Sequence, residues 1–269
     1  MAAEVSQFAK WVMEVDMFPV FFGAHFLLAS TIVREDSKDL GPRFRQEHPF
    51  AMWFCTIMAG LSGVFVANFL FGDPLVDVMK ENALIIYLTL VWYLMNYSPY
   101  DAVYKIALSP PVFLSASVLQ ECLRVRFIFL GLKQAARVYP GAYIIILLGG
   151  VIKGNGYGFI RVVERLIRGK WNPGNNDILE VTYFAKSGLY ASFLFLLHHF
   201  KFLNVPIEFL YLGVVAVFII CRMLTAVAGI KDPFLPIELP ICRVLFGSTG
   251  KEKVAAKDPV KDKLDKKKN

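Results

Sequence analysis

Gly149-Gly150-Val151-Ile152-Lys153-Gly154-Asn155-Gly156-Tyr157-Gly158 interrupts a run that otherwise has the composition of a membrane-spanning helix. Residues 143–148 before it are wholly apolar, and residues 159–163 after it are apolar except for Arg161. Five glycines and a lysine therefore fall near the middle of a span. Each glycine weakens a helix by about 1 kcal/mol relative to alanine. A lysine at that depth costs roughly 2.5 kcal/mol or more unless it meets water, a partner or a headgroup. Irregular backbone inside a bilayer persists only where protein buries it or where it lines a watery cavity. The stretch thus marks a broken span and, with it, a permeation or binding site in a polytopic membrane protein. Close packing through small residues accounts for the glycines but leaves Lys153 unexplained.

The rest of the chain has the same character. Of 269 residues, 56% are hydrophobic and 19% charged, with a mean hydropathy of +0.51; a soluble domain carries roughly 25% charge. The net charge of +7 comes largely from residues 251–268, where eight lysines face Glu252, Asp258, Asp262 and Asp265. In a membrane protein such a patch faces the cytoplasm and does not imply nucleic acid. Cys55, Cys122, Cys221 and Cys242 lack the spacing of a zinc site or a disulfide framework. Glu14 and Asp16 interrupt the first apolar run, so no cleavable leader is expected. HExxH, GxSxG and Walker patterns are absent from the sequence, and neither an enzyme nor a metal site is expected.

Seven spans of the length a bilayer requires follow from the apolar runs: residues 11–33, 50–71, 83–106, 111–139, 141–168, 178–200 and 205–230. Basic residues alternate between successive loops: Arg34, Lys38, Arg43 and Arg45, then Lys80 alone, and later Arg165, Arg168 and Lys170, then Lys201 alone. The excess places the N-terminus in the lumen or outside and the C-terminus in the cytoplasm. The second span carries its own interruption at Gly60 and Gly63. Spans one to three and four to six then form two inverted three-helix repeats, with a seventh helix added, since matching glycine-interrupted segments mark such repeats. The expected fold class is an all-α integral membrane protein. Residues 1–246 form its seven-helix transmembrane domain, and residues 247–269 a lysine-rich, disordered cytoplasmic tail. The tail ends Lys266-Lys267-Lys268-Asn269, similar to a dilysine endoplasmic-reticulum retrieval signal.

Lys133 and Arg137 share one helix face in the fourth span. Two cations there require an anionic partner or water, and Glu121 and Glu164 are the nearest carboxylates in sequence. Either the pair clasps an anionic lipid headgroup, with phosphoinositide the natural candidate for a basic pocket on the cytoplasmic side, or it snorkels or pairs internally. Free N–H groups at the break, at Gly154, Asn155 and Gly156, add phosphate donors to the first arrangement. Glu164 has the spacing to pair with Arg161 or Arg168, and Asp101 with Lys105.

Ordered patterns from about residue 92 to 179 carry a resemblance. Trp92-Tyr93-Leu94 precedes Pro99, Asp101, Tyr104 and Lys105; Glu121 precedes Arg124-Val125-Arg126, Gly131, Ala135-Ala136 and Tyr139-Pro140. Lys153-Gly154-x-Gly156 precedes Glu164, Leu166, Arg168-Gly169-x-Trp171-x-Pro173, Asn176-Asp177 and Leu179. The chain resembles the trimeric intracellular cation channels (TRIC), in their invertebrate, type B-like form. The resemblance implies a homotrimer with one hourglass pore in each seven-helix subunit, bent at glycines of helices two and five. Gly60, Gly63, Gly149, Gly150, Lys153, Gly154 and Gly156 are then pore or hinge residues. It implies potassium as permeant ion, and an endoplasmic or sarcoplasmic reticulum membrane as location. It also implies counter-ion flow coupled to Ca²⁺ release channels, with gating by voltage and lumenal Ca²⁺. Lys133 and Arg137 match two basic residues that hold phosphatidylinositol 4,5-bisphosphate in the invertebrate form. Two departures stand out: Gln120-Glu121-Cys122 replaces a Lys-Glu-Val triplet, and Phe127 replaces a basic residue. A pore lined by Lys133, Arg137 and Lys153 repels potassium unless lipid phosphates reverse the local sign. The competing expectation is a secondary transporter built on inverted three-helix repeats, which needs a membrane-embedded carboxylate; a scaffolding membrane protein is the third.

Overall fold

The computed structural model describes residues 2–41, 43–169, 182–230 and 232–247. These are helical, with no strand among the described residues. In chain order the α-helices are α1 (Ala2–Glu14), α2 (Val20–Asp36), the single turn α3 (Phe44–Glu47), α4 (Pro49–Gly60), α5 (Ser62–Phe71) and α6 (Asn82–Tyr97). There follow α7 (Ala102–Leu108), α8 (Pro110–Val138), α9 (Tyr143–Asn155), α10 (Tyr157–Ile167), α11 (Tyr183–His199), α12 (Ile207–Val227) and α13 (Leu235–Phe246).

Their boundaries follow local chemistry. Proline opens α4 and α8, where its missing N–H is no loss. Gly72 closes α5 at a φ of 76°, a left-handed position suited to glycine, and Asp73-Pro74 prevents continuation. Thr182 caps α11 by accepting a hydrogen bond from the Ala185 N–H.

Only α12 is by itself long and apolar enough to cross a bilayer among the described residues. Three further crossings arise if bent pairs count as single spans: α4 with α5, bent by 68°, the segment Pro99–Leu108 with α8, bent by 61°, and α9 with Ile160–Ile167, bent by 41°. The second and fifth predicted spans are therefore helices with a sharp break where the glycines stand.

Three boundaries differ from expectation. The predicted first span, 11–33, is two helices, because Asp16 accepts from the Phe18 N–H and Pro19 then opens a new helix. α1 leaves that span altogether and packs on α12. The predicted third span, 83–106, ends at Tyr97; Ser98 precedes a proline and takes an extended conformation, and α7 turns toward α8. Beyond the predicted seventh span lies α13, tied to α11 by Lys186, which pairs with Asp232 at 2.6 Å and Glu238 at 2.5 Å. The start of the predicted sixth span and the motif from Lys170 to Leu179 lie outside the described residues, as do residues 248–269 of the predicted tail.

α8 is the axis of the molecule. It packs on α2, α9, α11 and α12, and its residues Val125, Ile128, Phe129, Leu132 and Ala135 anchor the largest apolar cluster. A second cluster joins Phe26 of α2, Ile57 and Phe65 beside the α4–α5 break, and Leu88 of α6. Hydrocarbon is as apolar as these side chains, so close packing and internal polar bonds, more than water exclusion, hold such helices together.

Candidate functional site

The two broken spans meet at their breaks. A Cβ built on Gly63 would fall on the Lys153 carbonyl, and one on Gly156 would fall on the Gly63 Cα. Glycine is required on both sides because backbone touches backbone. Around this crossing, Gly131 of α8 faces Gly149 and Lys153, Gly149 faces Ala135, Gly150 faces Ser192, and Gly154 faces Ile128. Gly60 is looser; its nearest neighbours, Leu88 and Phe26, stand 3.2 Å from a Cβ placed there.

A break frees backbone groups that must be satisfied. The Gly60 carbonyl, released where α4 ends, accepts from His25 Nε2 at 2.8 Å. Asn155, the last residue of α9, accepts from Arg124 at 3.2 Å through its side-chain oxygen. Arg124 is buried and also donates to the Phe184 carbonyl at 3.1 Å and the Ser187 hydroxyl at 2.9 Å, pairs with Glu121 at 2.7 Å and lies over the Phe218 ring. One guanidinium thus binds α8, the α9 break, α11 and α12 together.

Between the breaks lies a cavity of about 80 Å³, lined among others by His25, Gly60, Gly63, Arg124, Lys153 and Asn155. Gly154 and Gly156 also line it, and so does Phe127, the position noted as basic in the resembling family. The Lys153 ammonium donates to Gln134 Oε1 at 2.7 Å. The Gln134 amide donates in turn to Asp73 at 2.5 Å and to Asn68 at 3.3 Å. The awkward lysine therefore has a polar partner on α8, connected to the loop after α5.

Lys133 and Arg137 stand elsewhere. Both are exposed on the surface of the single chain, and the Lys133 ammonium lies 4.3 Å from the Phe129 ring centre. They occupy the last two turns of α8, toward Asp73 and the 139–142 turn, and do not line the cavity that holds Gly154, Asn155 and Gly156. Nor do the candidate carboxylates reach the pair: Glu121 pairs with Arg124, and Glu164 pairs with Arg168 at 2.6 Å. Asp101 turns away from Lys105 to Arg34 at 2.8 Å, because its left-handed backbone (φ 57°) takes it out of helical register. Asp36 gathers Arg161, Arg165 and Arg168 within 4 Å at the opposite end of the bundle.

Sequence reasoning did not single out His25, Asn68, Asp73 or Gln134 as site residues. The usable signal was an amide or imidazole inside an apolar run, since such groups need a partner at membrane depth.

Comparison with known proteins agrees with this geometry. The TRIC channel family model matches residues 40–229. A trimeric intracellular cation channel type 1B.2 of Caenorhabditis elegans is 37% identical over 88% of this chain and 76% of its own length. The rabbit (Oryctolagus cuniculus) type A channel is 31% identical over 92% and 83%. Among solved structures, a C. elegans trimeric intracellular cation channel without Ca²⁺ superposes with a TM-score of 0.76 at 36% identity, covering 83% of this chain and 96% of that one. A TRIC counter-ion channel acting in calcium release superposes at 0.78 with 28% identity, covering 85% and 100%.

Proposed function

The chain belongs to the TRIC channel family, and we propose that it conducts potassium as a counter-ion channel of the endoplasmic or sarcoplasmic reticulum, assembled as a homotrimer with one pore in each subunit. The observation that carries the reading is the back-to-back contact of the two broken spans around a cavity, at Gly63 and Gly156. Non-helical backbone at membrane depth is tolerated where it lines a watery path, and this chain places two such segments against each other.

In this reading α2, α4–α5 and α6 form one three-helix repeat, and α8, α9–α10 and α11 form its inverted counterpart. α12 is the added helix. What supports the repeats is that a pair broken at glycines holds the middle place in each triplet. What supports a lumenal N-terminus is the clustering of Arg34, Arg45, Arg161, Arg165 and Arg168 with acidic partners at one end of the bundle. Potassium flow through the pore then offsets the charge moved when Ca²⁺ leaves or re-enters the store through its release channels.

Lys133 and Arg137 are the lipid site of this reading. Two exposed cations on one helix face suit a multiply phosphorylated headgroup such as phosphatidylinositol 4,5-bisphosphate. Gly154, Asn155 and Gly156 belong to the pore wall, and any phosphate reaching them enters the cavity itself.

A secondary transporter is less favoured, because the buried carboxylates Glu121 and Glu164 are both bound by arginine and not poised for coupling. Recording from the purified chain in planar bilayers under a potassium gradient tests the proposal. Discrete current steps reversing near the potassium equilibrium potential are expected; a silent bilayer sinks the reading.

A further inference from the structure

Lys153 lines the cavity between the bends, yet its ammonium is engaged by Gln134 of α8, which stands outside the cavity wall. The orientation of the Gln134 amide is dictated by its neighbours. Its carbonyl faces an ammonium at 2.7 Å, and its NH₂ faces the Asp73 carboxylate at 2.5 Å and the Asn68 carbonyl oxygen at 3.3 Å. Turned over, the amide would set a donor against a cation and an acceptor against a carboxylate, so only one orientation serves. Asn68 is fixed in the same sense, since its own NH₂ donates to the Pro74 carbonyl at 3.4 Å. Asp73 and Pro74 follow the left-handed Gly72 that ends α5, which holds this short loop against α8. A lysine otherwise carries a mobile point charge on a long flexible stem. In a narrow passage, such a charge repels cations.

We infer that Gln134 is a positioning residue for permeation: its amide, oriented by Asp73 and Asn68, holds the Lys153 charge against α8 and out of the passage between the bends. The inference rests on the channel reading above. Gln134 touches no permeant ion; it acts through Lys153.

The test is unitary potassium conductance of the full chain in planar bilayers, for the wild type, Gln134→Met, Lys153→Gln and the double variant. Methionine keeps the length of the side chain and removes all three hydrogen bonds. With the charge released into the passage, Gln134→Met loses conductance by about twofold or more. Lys153→Gln sets the reference without that charge, and the double variant matches the Lys153→Gln value. A role confined to helix packing lowers both Gln134→Met proteins alike, so a loss that persists without Lys153 overturns the inference, as does an unchanged Gln134→Met. If Gln134→Met fails to assemble, Asp73→Ala, which leaves no side-chain acceptor there, replaces it. Asp73 is exposed, and its removal disorients the amide; a conductance loss abolished by Lys153→Gln supports the inference, and a loss that persists, or none, overturns it. Wild-type channels that conduct while these variants behave alike refute this inference alone, whereas a wild type without potassium current refutes the channel reading and this inference together.

Discussion

Gly63 of α5 and Gly156 at the α9–α10 break share one contact in which neither has room for a Cβ. Two bent helix pairs are thus joined beside their breaks. The contact fixes the angle between them and the width of the cavity beside it.

Alanine at Gly63 must displace the Lys153 carbonyl, and alanine at Gly156 must displace the Gly63 backbone. Backbone cannot yield as a side-chain tip can, so each substitution costs about 1–3 kcal/mol. Gly158, two residues on, has open space around it, and Gly158→Ala is neutral or stabilising by up to about 1 kcal/mol. Thermal unfolding of the three variants in detergent checks the order. Equal loss at Gly158 and Gly156 would show that helix propensity, and not the contact, governs this stretch.

Arg124 offers a second test. Its removal strands Glu121, which is 2% exposed, as an unpaired carboxylate inside the bundle. Breaking a buried pair from one side costs about 3–5 kcal/mol, while replacing both partners by apolar groups is often neutral. Arg124→Met therefore destabilises strongly, and Arg124→Met combined with Glu121→Leu regains part of the loss. The recovery is incomplete because Asn155, Ser187 and the Phe184 carbonyl still lack their donor. A double variant no more stable than Arg124→Met contradicts the pairing.

The breaks were legible in the sequence because glycine and lysine are out of place in apolar runs. Their mutual contact was not, since a resemblance between residues 60–63 and 149–158 says nothing about which atoms touch. The i, i+4 rule found the Glu164–Arg168 pair, where the helix is regular, and failed at Asp101, where the backbone is left-handed. In the first span Pro19 marks a kink, but the turn at Asp16 goes further and divides the run into two helices. α13 forms although it contains Pro236 and Pro240, because Pro236 lies in its first turn and Glu238 finds Lys186 and Tyr190 on α11. Gln134 was visible as a polar residue in a span, but its partners come from two other segments of the chain.

His25 supplies the hydrogen bond that the Gly60 carbonyl loses when α4 ends. His25→Leu keeps the bulk and leaves that carbonyl without a donor beside the cavity. A buried unsatisfied carbonyl costs about 1–3 kcal/mol. His25→Gln keeps an N–H donor and retains more than half of the stability that leucine loses. Unfolding temperatures of both proteins decide the matter: equal destabilisation by leucine and glutamine assigns His25 to packing alone.

Lys133 and Arg137 make the last prediction, and they separate a lipid site from a pore charge. Both are exposed, and neither pairs with Glu121 or Glu164, which are taken by Arg124 and Arg168. Replacing both by alanine removes no hydrogen bond or ion pair among the described residues, only the Lys133 contact over the Phe129 ring, so stability falls by no more than about 1 kcal/mol. The cation pair nevertheless suits a phosphorylated headgroup, and each charge-assisted contact to phosphate contributes about 1.5–3 kcal/mol. Mass spectrometry of lipid carried through purification is expected to show phosphoinositide with the native chain and at least a tenfold loss with Lys133→Ala/Arg137→Ala. Exchanging both for glutamine gives the same loss, since it is the charge that matters. Lipid retained at native levels in either variant removes the site from this face of α8 and leaves the two cations as surface charges at the mouth of the bundle.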